Sequence, residues 1–375
     1  MLGRNERALG DACYKKTIVF VFVIFCVPSV ACADVGTPLV WATTFHLLIG
    51  NAVLGLLEGW WLASFFNLAR GKCIAFLILA NYLSTWIGCY VVDRFRLSQV
   101  LDVYNAQDFT LGFVLLCYLL TLLIEWPLVA LCFYRKDHWF ARSMKANLLV
   151  QTMSYLFLFG GFWMVSGKSL YSDFTIVAPD QILLPAGITV YYLSREDGHV
   201  YSRAQQGEGE LCYDVTPSVP RAYLKFLPSG GGDLCDLILD RGSYTEEKEE
   251  VILPNLIRPP EDDRWWRGQT YYGWGDVPRI GDAIGSPWLF SWGHWASIGL
   301  MGENSETKER INVSYGTPFI RWEFYRAIHL SENIVLFQLG EDQLCLLEID
   351  TKRISLWGRG YGVVAIADED RVYAK

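Results

Sequence analysis

Charge is scarce in this sequence: Asp, Glu, Lys and Arg make up 19% of 375 residues, fewer than the ~25% of an average soluble domain. That excludes an intrinsically disordered chain, which combines high charge with low hydrophobicity. Basic charge is scarcest where nucleic-acid contact would need it. Residues 167–375 hold 20 Lys and Arg against 31 Asp and Glu, so this half lacks the cation clusters that phosphate contacts require. Catalytic signatures are missing as well. There is no HExxH, P-loop, GxSxG or CxxC, the spacings that would point to a zinc protease, nucleotide hydrolysis, a nucleophile elbow or a redox dithiol. "GRGYG" (358–362) lacks the strand-before, helix-after setting of a dinucleotide fingerprint and reads as a turn. The acidic runs "EEKEE" (246–250) and "EDD" (261–263) lack the alternating ligands and Gly of a calcium loop and read as solvated faces. The chain is therefore expected to be no enzyme and to carry neither cofactor nor metal.

What the first half does contain is a series of apolar runs. Arg4, Arg7, Lys15 and Lys16 precede the short apolar core "TIVFVFVIFCVPSV" (17–30), and the small residues "ACA" (31–33) precede Asp34. That order is a secretory signal peptide, residues 1–33, with an uncleaved anchor as the alternative. Four further stretches, approximately 39–66, 73–92, 110–134 and 147–166, suit the ~20 residues that cross a hydrocarbon core. The loops at 67–72 and 135–146 hold six Lys and Arg between them, whereas 93–109 holds two. The positive-inside bias makes the first two cytoplasmic and the third external. The signal peptide demands the same topology, so 34–166 reads as a four-span transmembrane domain and 167–375 as an extracytoplasmic domain.

Two of these spans carry a carboxylate. "LLEGWWLASFFNLAR" (56–70) and "LIEWPLVALCFYR" (123–135) share two aliphatics, a Glu, a nearby Trp and a closing Arg. The next spans also align, "LANYLS" (79–84) with "LVQTMS" (149–154), so that Asn81 and Ser84 match Gln151 and Ser154. The pattern is that of a repeated helical hairpin. Glu58 lies nine residues before Asn67, Asn81 nine after Lys72, Glu125 ten before Arg135 and Ser154 nine after Lys145. At 1.5 Å per helical residue these groups share a level roughly 14 Å inside the cytoplasmic edge, near the midplane. A carboxylate in hydrocarbon costs several kcal/mol, so each Glu should face the bundle, carry its proton and donate to an amide or hydroxyl such as Asn81, Gln151 or Ser154. This intramembrane polar layer reads either as a structural clasp or as a proton or cation route. Gly55 and Gly59 form a small-xxx-small pair beside Glu58 that permits close helix approach, and Pro127 should kink the third span. His46 reads as a polar tip near the headgroups.

The second half reads as all-β, propeller-like or a sandwich. Runs rich in β-branched and aromatic residues, 188–203, 222–239, 287–300 and 333–357, each contain a strand–turn–strand candidate. The last, continued by "GRGYGVVAI" (358–366), has the spacing of a propeller blade. Cys212 and Cys235 are a candidate disulfide in an oxidising compartment, with core packing as the alternative. "RWWRGQTYYGWGDVPR" (264–279) is the densest aromatic stretch, and Trp265, Trp266, Tyr271, Tyr272 and Trp274 make a candidate ligand surface if exposed. His294 has no Cys or paired acid near it in sequence, so no catalytic role is assigned to it.

The stretches "ADVGTPLVWATTFHLLIGNAVLGLLEGWW" (33–61) and "LANYLSTWIG" (79–88) resemble uncharacterised bacterial membrane proteins that join a signal peptide to a Glu-containing helical hairpin. The resemblance covers at most the first 170 residues; it implies a bacterial inner membrane and no activity. The expectation is a multi-pass membrane protein with an extracytoplasmic, periplasmic β domain for binding, sensing or scaffolding. Its partners would be the lipid bilayer and other envelope proteins or a cell-wall ligand, with a homo-oligomer allowed and nucleic acid excluded. The alternative is a small transporter or channel component using Glu58 and Glu125.

Overall fold

The computed structural model describes residues 45, 49–96, 100–205, 210–215, 222–229, 234–241, 249–258, 275–293, 299–317 and 319–372. The signal peptide, His46, His294, the "EDD" run and the aromatics Trp265, Trp266, Tyr271, Tyr272 and Trp274 lie outside the described residues. The chain divides into two units. One contains the helices and Thr317–Phe319; the other contains Gly167–Gly316, Ile320–Lys375 and, from between two helices, Asp102–Gln107.

The helical unit has α1 (Asn51–Phe66), α2 (Arg70–Arg96), α3 (Ala106–Phe133) and α4 (Trp139–Val165). Among the described residues three helices are long and apolar enough to cross a membrane, α2 over Arg70–Gly88 and α3 and α4 over their whole lengths. The described part of α1 has 16 residues, short of the ~20 that a crossing needs. It ends at Asn67, whose φ of 51° and backbone N–H to Ala63 O close the last turn, a conformation Asn tolerates better than most residues. The charged segments at 70–72 and 139–146, expected as loops, are the first turns of α2 and α4. Backbone hydrogen bonding continues past the apolar run, because Arg142 and Lys145 can point outward into solvent without leaving the helix. Pro127 sits inside α3, which continues past it to Phe133.

These helices are built inside out relative to a soluble bundle. The buried stripe of α1 is Asn51, Leu54, Gly55, Glu58, Gly59, Leu62 and Ala63, and that of α4 includes Ser143, Asn147, Gln151 and Ser154. Large apolar side chains point out instead: Trp86 is 77% exposed and Leu123 70%. Small and polar residues inside with Leu and Trp outside is the arrangement lipid selects, since apolar side chains gain nothing there by leaving the surface.

The second unit is all-β apart from the one-turn α5 (Ser169–Ser172) and short 3₁₀ turns. Its strands are β1 (Thr175–Ile176), β2 (Ile188–Ser194), β3 (Val200–Arg203), β4 (Glu210–Tyr213), β5 (Tyr223–Pro228), β6 (Cys235–Asp240), β7 (Glu249–Ile257), β8 (Gly275–Asp276) and β9 (Trp288–Gly293). They continue with β10 (Gly299–Asn304), β11 (Arg310–Val313), β12 (Tyr315–Gly316), β13 (Arg321–Trp322), β14 (Phe324–Ser331), β15 (Ile334–Leu339), β16 (Gln343–Glu348) and β17 (Arg353–Ala367). The largest sheet runs β14-β15-β16-β17-β2-β3-β4, with β1 added parallel to β17; smaller sheets are β5-β6-β7, β8 to β11, and β12-β13. All the hairpins expected from alternation and turn residues form, including β2–β3 around Gly198 at φ 77° and β15–β16 after Gly340 at φ 63°.

The long strand β17 organises this unit. Its first half, Arg353 to Arg359, pairs with β16, and its second half, Gly360 to Ala367, pairs with β2. "GRGYG" is therefore no turn: it is the hand-over point inside one strand. The glycines are there for space. A Cβ on Gly360 would stand 2.6 Å from Leu193 O, and one on Gly362, whose φ is 64°, would stand 2.8 Å from Tyr223 Cα. A strand interrupted by glycines at a bulge looks like a turn from sequence because both need the same backbone freedom. Around the switch, β2, β5, β6, β16 and β17 share one core that includes Leu193, Leu224, Leu237, Leu346 and Val364.

The Cys212–Cys235 disulfide is not formed; both thiols are free. They sit on strands of different sheets and pack as apolar side chains, Cys235 fully buried and Cys212 against the edge of the same core. Burial pushes the Cys235 thiol up to about 11, away from thiolate chemistry.

His329 on β14 is fully buried against Phe290, with ring centroids 5.3 Å apart. Neither ring nitrogen meets a partner in hydrogen-bond geometry, although the backbone of Ser331 and Glu332 lies close. Burial, opposed by that backbone and reinforced by the Arg279 charge, lowers its pKa to about 4. An unfolded His takes up its proton near pH 6.5, so between 6.5 and 4 the unfolded chain binds more protons and native stability falls as pH falls. The effect should amount to roughly 3 kcal/mol across that window. Hydrogen exchange at buried amides of the β unit should report this loss, and a His329→Leu variant should lack this part of the pH dependence. Separately, Gly362→Ala should destabilise the β unit by about 1–3 kcal/mol, read as a lower midpoint of denaturant unfolding.

Candidate functional site

All the polar residues expected near the midplane converge in the helical unit. Asn81 on α2 donates its amide to Glu58 Oε2 on α1 at 2.5 Å. Gln151 on α4 does the same to Glu125 Oε2 on α3 at 2.6 Å. These are the two within-hairpin bonds that the repeat implies. The hydroxyls cross between hairpins: Ser84 on α2 donates to Glu125 Oε1 at 2.5 Å, and Ser154 on α4 stands in hydrogen-bonding range of Glu58. Each serine also lies near the backbone carbonyl three residues back, Ser84 with Asn81 O at 3.1 Å and Ser154 with Gln151 O at 3.2 Å. The pattern has the symmetry of the repeat, amide to its own hairpin and hydroxyl to the other.

One bond breaks that symmetry. Gln151 Nε2 also reaches Glu58 Oε2, at 3.5 Å, so a single amide spans both carboxyl groups. Glu125 is 0% and Glu58 1% exposed. Among the described residues no Lys or Arg acts on either one. In place of a counter-charge the layer uses neutral donors, each making interhelical bonds worth on the order of 1 kcal/mol. Asn81 uses its second hydrogen on Leu77 O at 3.0 Å, which fixes the amide within its own helix.

Close backbone approach makes the layer reachable for short side chains. A Cβ on Gly55 would come 2.5 Å from Ile78 Cα, and one on Gly59 2.5 Å from Ile74 Cα. Those two glycines let α1 and α2 touch along their backbones on either side of Glu58. Towards the Asn67 and Arg135 ends, all four helices contribute to an apolar cluster that includes Leu62, Leu77, Val129, Phe133 and Val150. Towards the opposite ends the interior stays polar. Thr85 donates to Asn51 Oδ1 at 3.1 Å and Thr121 meets the Tyr155 hydroxyl at 2.8 Å, while Tyr118 meets Thr152 at 2.8 Å on the exposed surface.

Sequence reasoning named Glu58, Asn81, Glu125, Gln151 and Ser154, and the structure brings all five together. It left Ser84 out of the site although the repeat had matched Ser84 to Ser154; pairing across hairpins is a tertiary fact. Asn51 was also missed, yet it lies seven residues before Glu58, on the same helix face. Among the described residues no group of three or more His, Cys, Asp and Glu could hold a metal ion. Compared with models of protein families, with curated proteins and with solved structures, the chain matches none.

A double-mutant cycle on Ser84→Ala and Glu125→Gln should give a coupling of about 1 kcal/mol in unfolding of the full chain from a bilayer mimic. Additive single effects would mean that the cross-hairpin bond contributes nothing. Gly59→Leu should cost more, on the order of 1–3 kcal/mol, because α1 and α2 would have to separate.

Proposed function

We propose that this chain is a multi-pass protein of a bacterial inner membrane in which four helices hold an extracytoplasmic β unit, and that the β unit is the working part, a binding, sensing or scaffold module. Residues 39–50 with α1 supply the fourth crossing, and residues 1–33 the signal peptide. The reading is carried by one observation, the membership of Asp102–Gln107 in the β unit.

That segment lies between α2 and α3, and it is built in rather than laid on. Val103 is buried; its N–H donates to Gln343 Oε1 at 2.9 Å, and its carbonyl accepts from the Tyr171 hydroxyl at 2.8 Å. The Tyr104 hydroxyl donates to Val177 O at 3.0 Å and accepts from Leu356 N–H at 3.2 Å. Arg359 joins Asp102 at 3.1 Å and Asp342 at 3.2 Å. Open strand edges and loops are not tolerated in hydrocarbon, so this loop and the β unit belong on one side of the membrane. The loop at 93–109 is the one poor in Lys and Arg, which makes that side the outer one. A β unit fastened at a loop as well as through the chain after α4 is suited to scaffolding or to passing a bound state on to the helices. On sequence grounds the aromatics of 264–279 are its candidate surface for a cell-wall ligand or envelope partner. The β14–β17 meander is what supports the propeller-like reading, although its sheet runs on through β2 to β4 and is wider than one four-stranded blade.

An epitope tag after Lys375 should be digested by protease added to intact spheroplasts; protection until the membrane is permeabilised would reverse the orientation. The full chain in detergent should gain several degrees in Tm with one class among peptidoglycan fragments, oligosaccharides and peptides, and a flat response to all of them would sink the binding reading. Arg359→Ala should loosen the built-in loop, weakening protection of the Val103 amide by about 1–2 kcal/mol in hydrogen exchange.

A further inference from the structure

We propose that Glu58 and Glu125 form a one-sided proton-binding site, loaded from the membrane face that carries Asp102–Gln107 and sealed from the other face. Three observations lead there. Among the described residues the carboxyl groups have no cationic partner, so in hydrocarbon each must be neutralised by something small that comes from outside the protein. Amide nitrogens from Asn81 and Gln151 and the Ser84 hydroxyl already face the carboxyl oxygens with hydrogens. That leaves few lone pairs for the six or so oxygen contacts a hard metal ion prefers, whereas a proton needs one.

The third observation is the asymmetry of the interior. On the Asn67 and Arg135 side the layer rests on Leu62, Leu77, Val129, Phe133 and Val150, each no more than 1% exposed. On the other side the pairs Thr121–Tyr155 and Thr85–Asn51 continue the polar interior. Thr121 is one turn from Glu125 and Asn51 two turns from Glu58. A proton can be handed along hydroxyls, and an apolar plug offers it no acceptor. Loading is a simple transfer: a carboxylate oxygen takes the proton of a hydronium ion and leaves water, and release is the reverse. The titratable groups facing the pair, besides the two carboxyls themselves, are the Tyr155 phenol and, next to that, the Cys117 thiol.

The site differs from a transmembrane route, because the buried polar groups on the plugged side, Ser143, Asn147 and the Trp126 indole, bond within the α3–α4 pair, to Phe140 O, to Leu122 O and to one another, and not to either carboxyl. It is an outward-facing proton sensor, and its sidedness rests on the outward assignment made above. Gln151 spans both carboxyls, and Ser84 ties Glu125 to the other hairpin, so loss of a proton would put charge at the one level where all four helices are joined.

The test is infrared difference spectroscopy on the full chain in vesicles of one orientation, with the pH stepped on one side at a time. The carboxylic C=O band should respond to the face that carries Asp102–Gln107, shift on transfer to D₂O, lose one component in Glu58→Gln and the other in Glu125→Gln, and move for Glu125 alone in Ser84→Ala. Bands that never exchange in D₂O, carboxylate bands at every pH, or a response only from the opposite face would overturn the proposal. A proton leak in the wild type that both Gln variants abolish would overturn it too, in favour of a through route. The protease assay fixes orientation independently, so an error in topology and a failure of the site are distinguishable.

Discussion

A carboxyl group in hydrocarbon with no counter-charge leaves the helical unit little freedom. It must be met by neutral donors, and short side chains can supply them only where helices come close. Gly55 and Gly59 bring α1 against α2, which lets Asn81 reach Glu58; Gln151 serves Glu125 and extends to Glu58. Ser84 then works across hairpins, donating to Glu125. Packing, polar satisfaction and helix pairing are thus one requirement, and the apolar exterior follows because lipid offers nothing to the polar groups turned inward.

The β unit solves a different problem with the same economy. Its long last strand serves two neighbours in succession, which needs a change of twist and very close backbones at one point. Glycines at 360 and 362 supply it, and the shared core of Leu193, Leu224, Leu237, Leu346 and Val364 fills around it. Polar groups are sparing inside this core. Arg326 is one, donating to Leu224 O at 2.8 Å and lying over the Tyr223 ring at 4.7 Å, and Lys225 is another, held by Asp240 at 2.5 Å and Glu249 at 2.7 Å. Paired charges of this kind are costly to break and hold strand register more than they add stability.

Much of this was legible in the residues. Long apolar runs gave the helices, counting from basic loops put Glu58, Asn81, Glu125 and Ser154 at one level, and the internal repeat matched Asn81 and Ser84 with Gln151 and Ser154; each Glu was expected to donate, whereas the Asn81 and Gln151 amides donate to the carboxyl oxygens. Alternation with Gly-containing turns gave the hairpins β2–β3, β5–β6, β9–β10 and β15–β16. The failures have physical causes. Helix ends ran past the hydrophobic boundary because Arg142 and Lys145 remain helical in solvent. "GRGYG" was mistaken for a turn because a bulge and a turn ask the same of glycine. Ser84 to Glu125 and Val103 to Gln343 join residues 41 and 240 positions apart, and nothing local in a sequence encodes such pairings.

The central claim is that one amide holds both carboxyl groups together at the level where four helices meet. Through-space nitrogen–carbon correlation by solid-state NMR on the full chain in lipid, with glutamine side-chain nitrogens and glutamate carboxyl carbons labelled, tests it most directly. The Gln151 nitrogen should correlate with Glu125 strongly and with Glu58 more weakly, as 2.6 and 3.5 Å require. Correlation with Glu125 alone would leave two independent hairpins and contradict the account.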